Sequence, residues 1–255
     1  MIPEALSTQL KTCQKLVVLT GAGVSAESGI PTYRDALAGL WKDYNFMQLA
    51  SADGFLDNPA SVWGWYESRR KQLQSISPNA AHTVLAKLQQ HVPEMLVITQ
   101  NVDDLHERAG SSQVLHLHGS ITQAFCFDCR APYTHATLQA EEGAAIIEQE
   151  IEPPLCEHCG GKIRPGVVWF GETLNENDLG AAEVHAMEAE ILLVIGTSGL
   201  VYPAANLPYL AQMAGAVLVQ INPEPTWIES IVSYNIPGKA GEVMQALYQA
   251  TFEGS

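Results

Sequence analysis

Five short apolar runs punctuate the chain: LVVL at 16–19, MLVIT at 95–99, VLHLH at 114–118, ILLVIG at 191–196 and AVLVQI at 216–221. Several lack polar alternation, which is the pattern of strands buried on both faces, as in a parallel sheet covered by helices. Helices are expected over 79–91, 180–189, 203–214 and 239–250. Together these predict an α/β protein with a Rossmann-like, doubly wound parallel sheet. Two stretches interrupt it. Residues 31–78 read as a helical insertion carrying Trp41, Trp63 and Trp65, and residues 119–170 as a small inserted module with two cysteine pairs around the acidic segment AEEGAAIIEQEIEPP. Residues 1–30, 79–118 and 171–255 then form the main layer of a single unit spanning 1–255.

With 255 residues, 47% of them hydrophobic, the chain can bury a full core. No apolar stretch is long enough to span a membrane, and the first thirty residues lack the build of a secretory signal, so a cytoplasmic address and no membrane partner are expected. The net charge of -15 opposes the phosphate backbone and argues against nucleic-acid binding. A Lys-bearing protein surface is a better partner, although the same charge also serves solubility. A monomer is expected.

After the first run comes GAGVSA, with Gly21, Gly23 and Ala26 at a spacing that lets backbone amides approach a pyrophosphate. Glycines after a strand also make ordinary turns, so the motif alone is weak. A nicotinamide dehydrogenase would add a second strand within about thirty residues, ending in an acid for the ribose. Here the next strand starts only near Met95, so the insertion must build part of the pocket. Gly196, Thr197 and Ser198 after the fourth run and Asn222 after the fifth supply small polar groups at carboxyl ends of strands, where such sheets bind ligands.

The pairs Cys126/Cys129 and Cys156/Cys159 form two C-x-x-C knuckles able to surround one tetrahedral zinc. A redox reading needs a C-x-x-C beside a thioredoxin-like unit, whereas these lie in glycine- and charge-rich turns. Four thiolates leave no open position, so the metal is expected to be structural, with His158 outside it. Cys13, beside the first apolar run, reads as a core or near-core thiol.

TQNVDDLH places Gln100, Asn101 and Asp103 at a strand's carboxyl end, a position that helix capping would also explain. VLHLHGS puts His116 and His118 on one face of a strand, and spacing does not choose a base between them. Taken together, GAGVSAESGIPTYRD, TQNVDDLH, LHGS, the cysteine pairs, GVVWFGE, GTS and INPE closely resemble the sirtuin family, in its order, from about residue 16 to 241.

The resemblance implies an NAD-consuming protein-lysine deacylase. Gly21, Ala22, Gly23, Ser25, Tyr33, Arg34 and Asp35 match the loop covering NAD, and Gln100, Asn101 and Asp103 the ribose and nicotinamide pocket. Gly196, Thr197, Ser198, Asn222, Pro223, Glu224 and Ala240 match the adenosine half. His118 matches the general base, with Asn101 and Asp103 completing the catalytic set. Val168 and Phe170 match the edge that pairs with an extended substrate peptide. In the implied reaction the acyl oxygen attacks the nicotinamide ribose, nicotinamide leaves and an alkylimidate forms. His118 takes a proton through the ribose hydroxyls, and water releases free lysine and O-acyl-ADP-ribose.

VWGWYESRR places Tyr66 and Arg69 three apart, on the same side of a helix. The pair resembles the Tyr-x-x-Arg of sirtuins that remove succinyl and malonyl groups, with Ala50 and Gly54 leaving room for a longer acyl chain. Acetyl removal is expected as a second activity. The rival readings are a deacetylase or mono-ADP-ribosyltransferase of the same fold, a non-catalytic NAD- or zinc-dependent docking module, and a dehydrogenase.

Overall fold

The computed structural model describes residues 2–31, 46–134 and 150–253. Six parallel strands form one sheet in the order β3-β2-β1-β7-β8-β9. They are β1 (Lys15–Thr20), β2 (Glu94–Thr99), β3 (Val114–His116), β7 (Ile191–Ile195), β8 (Val217–Asn222) and β9 (Tyr234–Pro237). The strand order reverses between β1 and β7, the position where open α/β sheets leave a crevice outside the carboxyl ends.

The lack of polar alternation has a direct cause, because successive residues feed two different cores. Leu16 and Val18 of β1 enter one cluster with Leu193, Ile195 and Val219, while Val17 and Leu19 enter the other with Leu192, Val194 and Leu218. Helices α1 (Glu4–Thr12), α5 (Ala80–Leu88) and α9 (Ala240–Tyr248) cover the first face. Helices α7 (Glu176–Glu188) and α8 (Leu207–Met213) cover the second. The expected doubly wound sheet is therefore present. The described elements that were not expected include α1, anchored by fully buried Leu6 and Leu10 one turn apart, and the edge strand β9. Cys13 is buried as expected, and burial pushes its thiol up to about 11.

The helical insertion contains α2 (Phe46–Leu49), α3 (Ala52–Asp57) and α4 (Pro59–Ser75). Helix α4 starts where the Asn58 side chain accepts the Ser61 N–H, with Pro59 in its first turn. It is buried continuously from Val62 to Glu67 because two clusters flank it. Tyr66 and Trp65 join Phe55, Ile121 and Trp169, while Trp63 packs with Cys126, Cys156 and Ile163. Gly54 does not provide acyl room: a Cβ there would lie 1.9 Å from the Gln48 carbonyl oxygen, so its small size answers a backbone crossing.

The second sheet is antiparallel, β5-β4-β6, from β4 (Gly119–Cys126), β5 (Pro132–Tyr133) and β6 (Ile163–Val167). Among the described residues no helix is long and apolar enough to cross a membrane.

Candidate functional site

The loops after β1, β2, β3, β7 and β8 leave the same edge of the sheet. Gly21 and Gly23 donate to Ile195 and Gly196 carbonyls at 3.1 and 2.8 Å. Gln100 Nε2 donates to Thr197 Oγ1 at 3.0 Å, and Asn222 Nδ2 to the Thr197 carbonyl at 3.0 Å. Gln100, Gly196, Ser198, Ala22 and Asn222 stay partly open, Pro223 and Glu224 are exposed, and Ala240 is buried at the start of α9. Glu27, which the motifs did not single out, accepts the neighbouring Gly241 N–H at 2.6 Å and ties the loop to α9. Tyr33, Arg34 and Asp35, like Trp41, lie outside the described residues.

Ser25 is fully buried and is the hub of this edge. Its hydroxyl donates to Asp103 Oδ2 at 3.0 Å and accepts from Asn101 Nδ2 at 3.1 Å. His82 Nε2 lies 3.4 Å away. The Asn79 N–H donates to His82 Nδ1 within the capping box of α5, so the His82 proton sits on Nε2 and points at Ser25. Burial raises the Asp103 carboxyl above its ordinary range, while the Leu105 N–H and the Ser25 hydroxyl pull it back.

A second chain lies behind. His106 Nε2 meets Thr20 Oγ1 at 3.0 Å, Thr20 donates to Thr99 at 2.9 Å, and the Asn101 N–H donates to Thr99 Oγ1 at 3.1 Å. Burial lowers His82 to about 4 and His106 to about 3, so both are neutral. Sequence reading missed both histidines. The Asn79/His82 spacing announces a helix start, but nothing local announces a contact to Ser25.

The two histidines of VLHLH divide their tasks. Strand β3 ends at His116, short of the expected 118, and His118 follows it just before Gly119, whose φ is +73°. His118 Nδ1 donates to the Gln100 carbonyl at 2.8 Å, leaving Nε2 as the basic nitrogen. Burial lowers its pKa, partly offset by that carbonyl, so it is neutral near pH 7. For His116 burial alone would do the same, but the Glu107 carboxylate at 2.7 Å outweighs it and raises the pKa.

Val168 donates to the His118 carbonyl at 2.8 Å, and exposed Phe170 to the Ala50 carbonyl at 2.9 Å, so the segment between them spans from the histidine to the helical insertion. Tyr66 Oη accepts the Trp169 indole N–H at 3.0 Å. The Arg69 guanidinium lies 4.9 Å from the Trp65 ring centroid.

The knuckles repeat one turn. Cys126 and Cys156 donate to the carbonyls of Ala131 and Gly161, and their own carbonyls accept from Arg130 and Gly160. Arg130 and Gly160 are both left-handed, with φ of 61° and 75°. The four Sγ atoms lie within 4.8 Å of one another, with closest pairs at 3.4 and 3.6 Å. Four thiolates about 2.3 Å from a tetrahedral zinc would sit about 3.8 Å apart, so the residues fit the ion. The Cys129 N–H is aimed at Cys126 Sγ and lowers the pKa of that thiol, which favours the thiolate that a metal takes. His158 is exposed and outside the cluster.

A doubly wound sheet with polar groups gathered at its switch point and an inserted four-cysteine module is the class this architecture defines. A model of the Sir2 family matches residues 21–203. The chain is 49% identical over 254 residues to NAD-dependent protein deacylase 1 of Pseudomonas aeruginosa, covering 98% of this chain and 100% of that protein. A crystal structure of a Sir2 homolog–NAD complex aligns at 40% identity and a TM-score of 0.88, covering 100% of this chain and 95% of that one. A Sir2 protein bound to acetylated peptide aligns at 31% identity and a TM-score of 0.83, covering 100% and 99%. The chain belongs to the Sir2 family.

Proposed function

We propose that this protein is an NAD-dependent protein-lysine deacylase that favours succinyl and malonyl groups and removes acetyl groups as a second activity. The observation that carries the deacylase reading is His118: its Nδ1–H is held by the Gln100 carbonyl, and Nε2 is left basic beside the loop bearing Asn101 and Asp103. The names of the relatives point the same way.

In this reading NAD is a substrate seated across the β1–β7 switch point. Gly21, Ala22 and Gly23 let the backbone approach its phosphates, Thr197, Ser198, Asn222, Pro223, Glu224 and Ala240 take the adenosine half, and Tyr33 and Arg34 belong to the covering loop. Gln100, together with Asn101 and Asp103, which Ser25 holds, lines the nicotinamide ribose, where a nearby carboxylate favours the developing positive charge. His118 takes the proton that lets the ribose oxygen attack, and the products are nicotinamide, free lysine and O-acyl-ADP-ribose. The substrate peptide lies along Val168 and Phe170, and the four cysteines hold one structural zinc that keeps the small sheet folded.

The acidic-acyl preference rests on Tyr66 and Arg69, a phenol and a guanidinium one helical turn apart. The reading includes a cytosolic monomer acting on Lys-bearing protein surfaces, which suit a net charge of -15, and no nucleic-acid partner.

Matched acetyl-lysine and succinyl-lysine peptides with NAD, followed by mass spectrometry, test this with wild type, Arg69→Met and His118→Tyr. The expected result is turnover of both by wild type, a succinyl-to-acetyl ratio at least tenfold lower in Arg69→Met, and loss of both activities in His118→Tyr. Acetyl turnover alone in wild type would remove the acyl assignment and leave the deacylase. Nicotinamide release from neither peptide would favour a docking module.

A further inference from the structure

The Tyr66 hydroxyl is a hydrogen-bond donor with its acceptor side already taken. An indole N–H can only donate, so the 3.0 Å contact between Trp169 Nε1 and Tyr66 Oη has one direction: Trp169 gives and Tyr66 accepts. The phenol's own proton then has no acceptor among the described residues, although Tyr66 is 5% exposed. A buried donor left unmade is costly, and sites built to engage a ligand keep such groups.

Trp169 is itself locked in place. Its backbone N–H donates to Glu172 Oε2 at 2.8 Å, and the Arg164 guanidinium sits 3.5 Å from its ring centroid. Arg164 is fully buried and ion-paired to the same Glu172, and the Phe55 ring lies 5.4 Å away on centroids. The indole cannot turn away without breaking this set.

We propose that Trp169 is a specificity-determining residue, which by occupying the acceptor side of the Tyr66 hydroxyl commits the phenol proton to a carboxylate on the incoming acyl chain. This rests on the acidic-acyl reading above. A succinyl or malonyl group brings an anionic acceptor, whereas an acetyl group ends in a methyl that accepts nothing. Trp169 acts through Tyr66 and is a positioning residue.

The test compares the ratio of kcat/KM for succinyl-lysine over acetyl-lysine peptides in wild type, Trp169→Phe, Tyr66→Phe and the double variant. Phenylalanine keeps a six-membered ring for Arg164 and Phe55 and removes the donor together with the rest of the indole. The ratio is independent of the fraction of active enzyme, so partial misfolding does not distort it. Trp169→Phe is expected to lower the ratio about tenfold, mainly through KM for the succinyl peptide. Tyr66→Phe is expected to lower it at least as far, and the double variant no further than Tyr66→Phe, because both act through one proton. A ratio unchanged in Trp169→Phe while wild type prefers succinyl would overturn this proposal alone, as would losses that multiply in the double variant. Acetyl turnover alone in wild type would overturn the acidic-acyl reading and this proposal with it. If Trp169→Phe does not fold, the Trp169 indole 15N–1H resonance in the otherwise intact chain provides the measurement. It is expected to move in Tyr66→Phe and on adding succinyl-lysine peptide to wild type, and a resonance indifferent to Tyr66→Phe would overturn the proposal.

Discussion

Gly23 donates its N–H to the carbonyl of Gly196 at 2.8 Å, joining the loop after β1 to the loop after β7 backbone to backbone. A Cβ on Gly23 would stand 2.7 Å from both Cα and O of Gly196. Gly196 itself has φ of +61°, and a Cβ there would lie 2.4 Å from the Val24 nitrogen. Neither side can yield, since both obstacles are main chain. Gly23→Ala is therefore expected to cost about 1–3 kcal/mol of stability and to weaken NAD binding at least tenfold. Thermal melting and calorimetric titration with NAD check both, and wild-type affinity in the variant would refute the placement of the dinucleotide on this loop.

The acid limb of the rate profile is expected to report His118, the proposed base. A base works only when neutral, and burial holds this one below the ordinary 6.5. The expected outcome is kcat/KM that falls with acid through an apparent pKa below 6.5 and is flat just above it. A limb centred above 6.5 would point to a different group, with His116, whose pKa the Glu107 carboxylate raises, as the first to examine.

His82 and His106 make stability depend on pH in a defined direction. Unfolded, each takes up a proton below about 6.5. Folded, they resist until about 4 and about 3. Between those limits the unfolded state binds more protons, so stability falls as pH is lowered from 6.5, by at most about 1.4 kcal/mol per histidine per pH unit. Urea melts from pH 7 to 5 are expected to show that slope, and His106→Gln to flatten it. An unchanged slope in the variant would mean that His106 does not contribute and would leave the effect to His82.

Metal analysis is expected to find one zinc per chain. Cys129→Ser, or a strong chelator, is expected to remove it and lower the melting temperature by about 5–10 °C, corresponding to a few kcal/mol in a chain of this size. Full stability without metal would mean that the hydrogen-bonded knuckles hold the small sheet unaided.

The sheet was legible because its signal is local and redundant. LVVL, ILLVIG and AVLVQI bury both faces, and burial on both faces leaves continuous apolar runs. The cysteine knuckles were legible for a similar reason, since ligand spacing is written along the chain. Helix α1 was overlooked although Leu6 and Leu10 carry an i, i+4 stripe, because two apolar positions in nine residues are a thin pattern. Strand β9, YNIP, ends in a proline and lies at the sheet edge, where hydrophobic patterning is weakest. The link from His82 to Ser25 and the indole contact from Trp169 to Tyr66 join residues 57 and 103 positions apart. Only the folded chain brings such partners together, so no periodicity could announce them.

Strand β6 begins four positions after Cys159, and its continuation supplies Val168, which bonds His118, and Phe170, which bonds Ala50. The cysteine knuckles, the segment proposed to pair with the substrate peptide and Trp169 are thus one uninterrupted piece of chain, whereas Tyr66 arrives from a separate helix. A graft exchanging residues 119–170 with a relative would carry metal content and substrate register as one cassette, yet part Trp169 from its native Tyr66. Chimaeras built that way would inherit a donor without a guarantee of its mate, and their acyl selectivity would depend on whether the recipient helix brings a phenol to the same place.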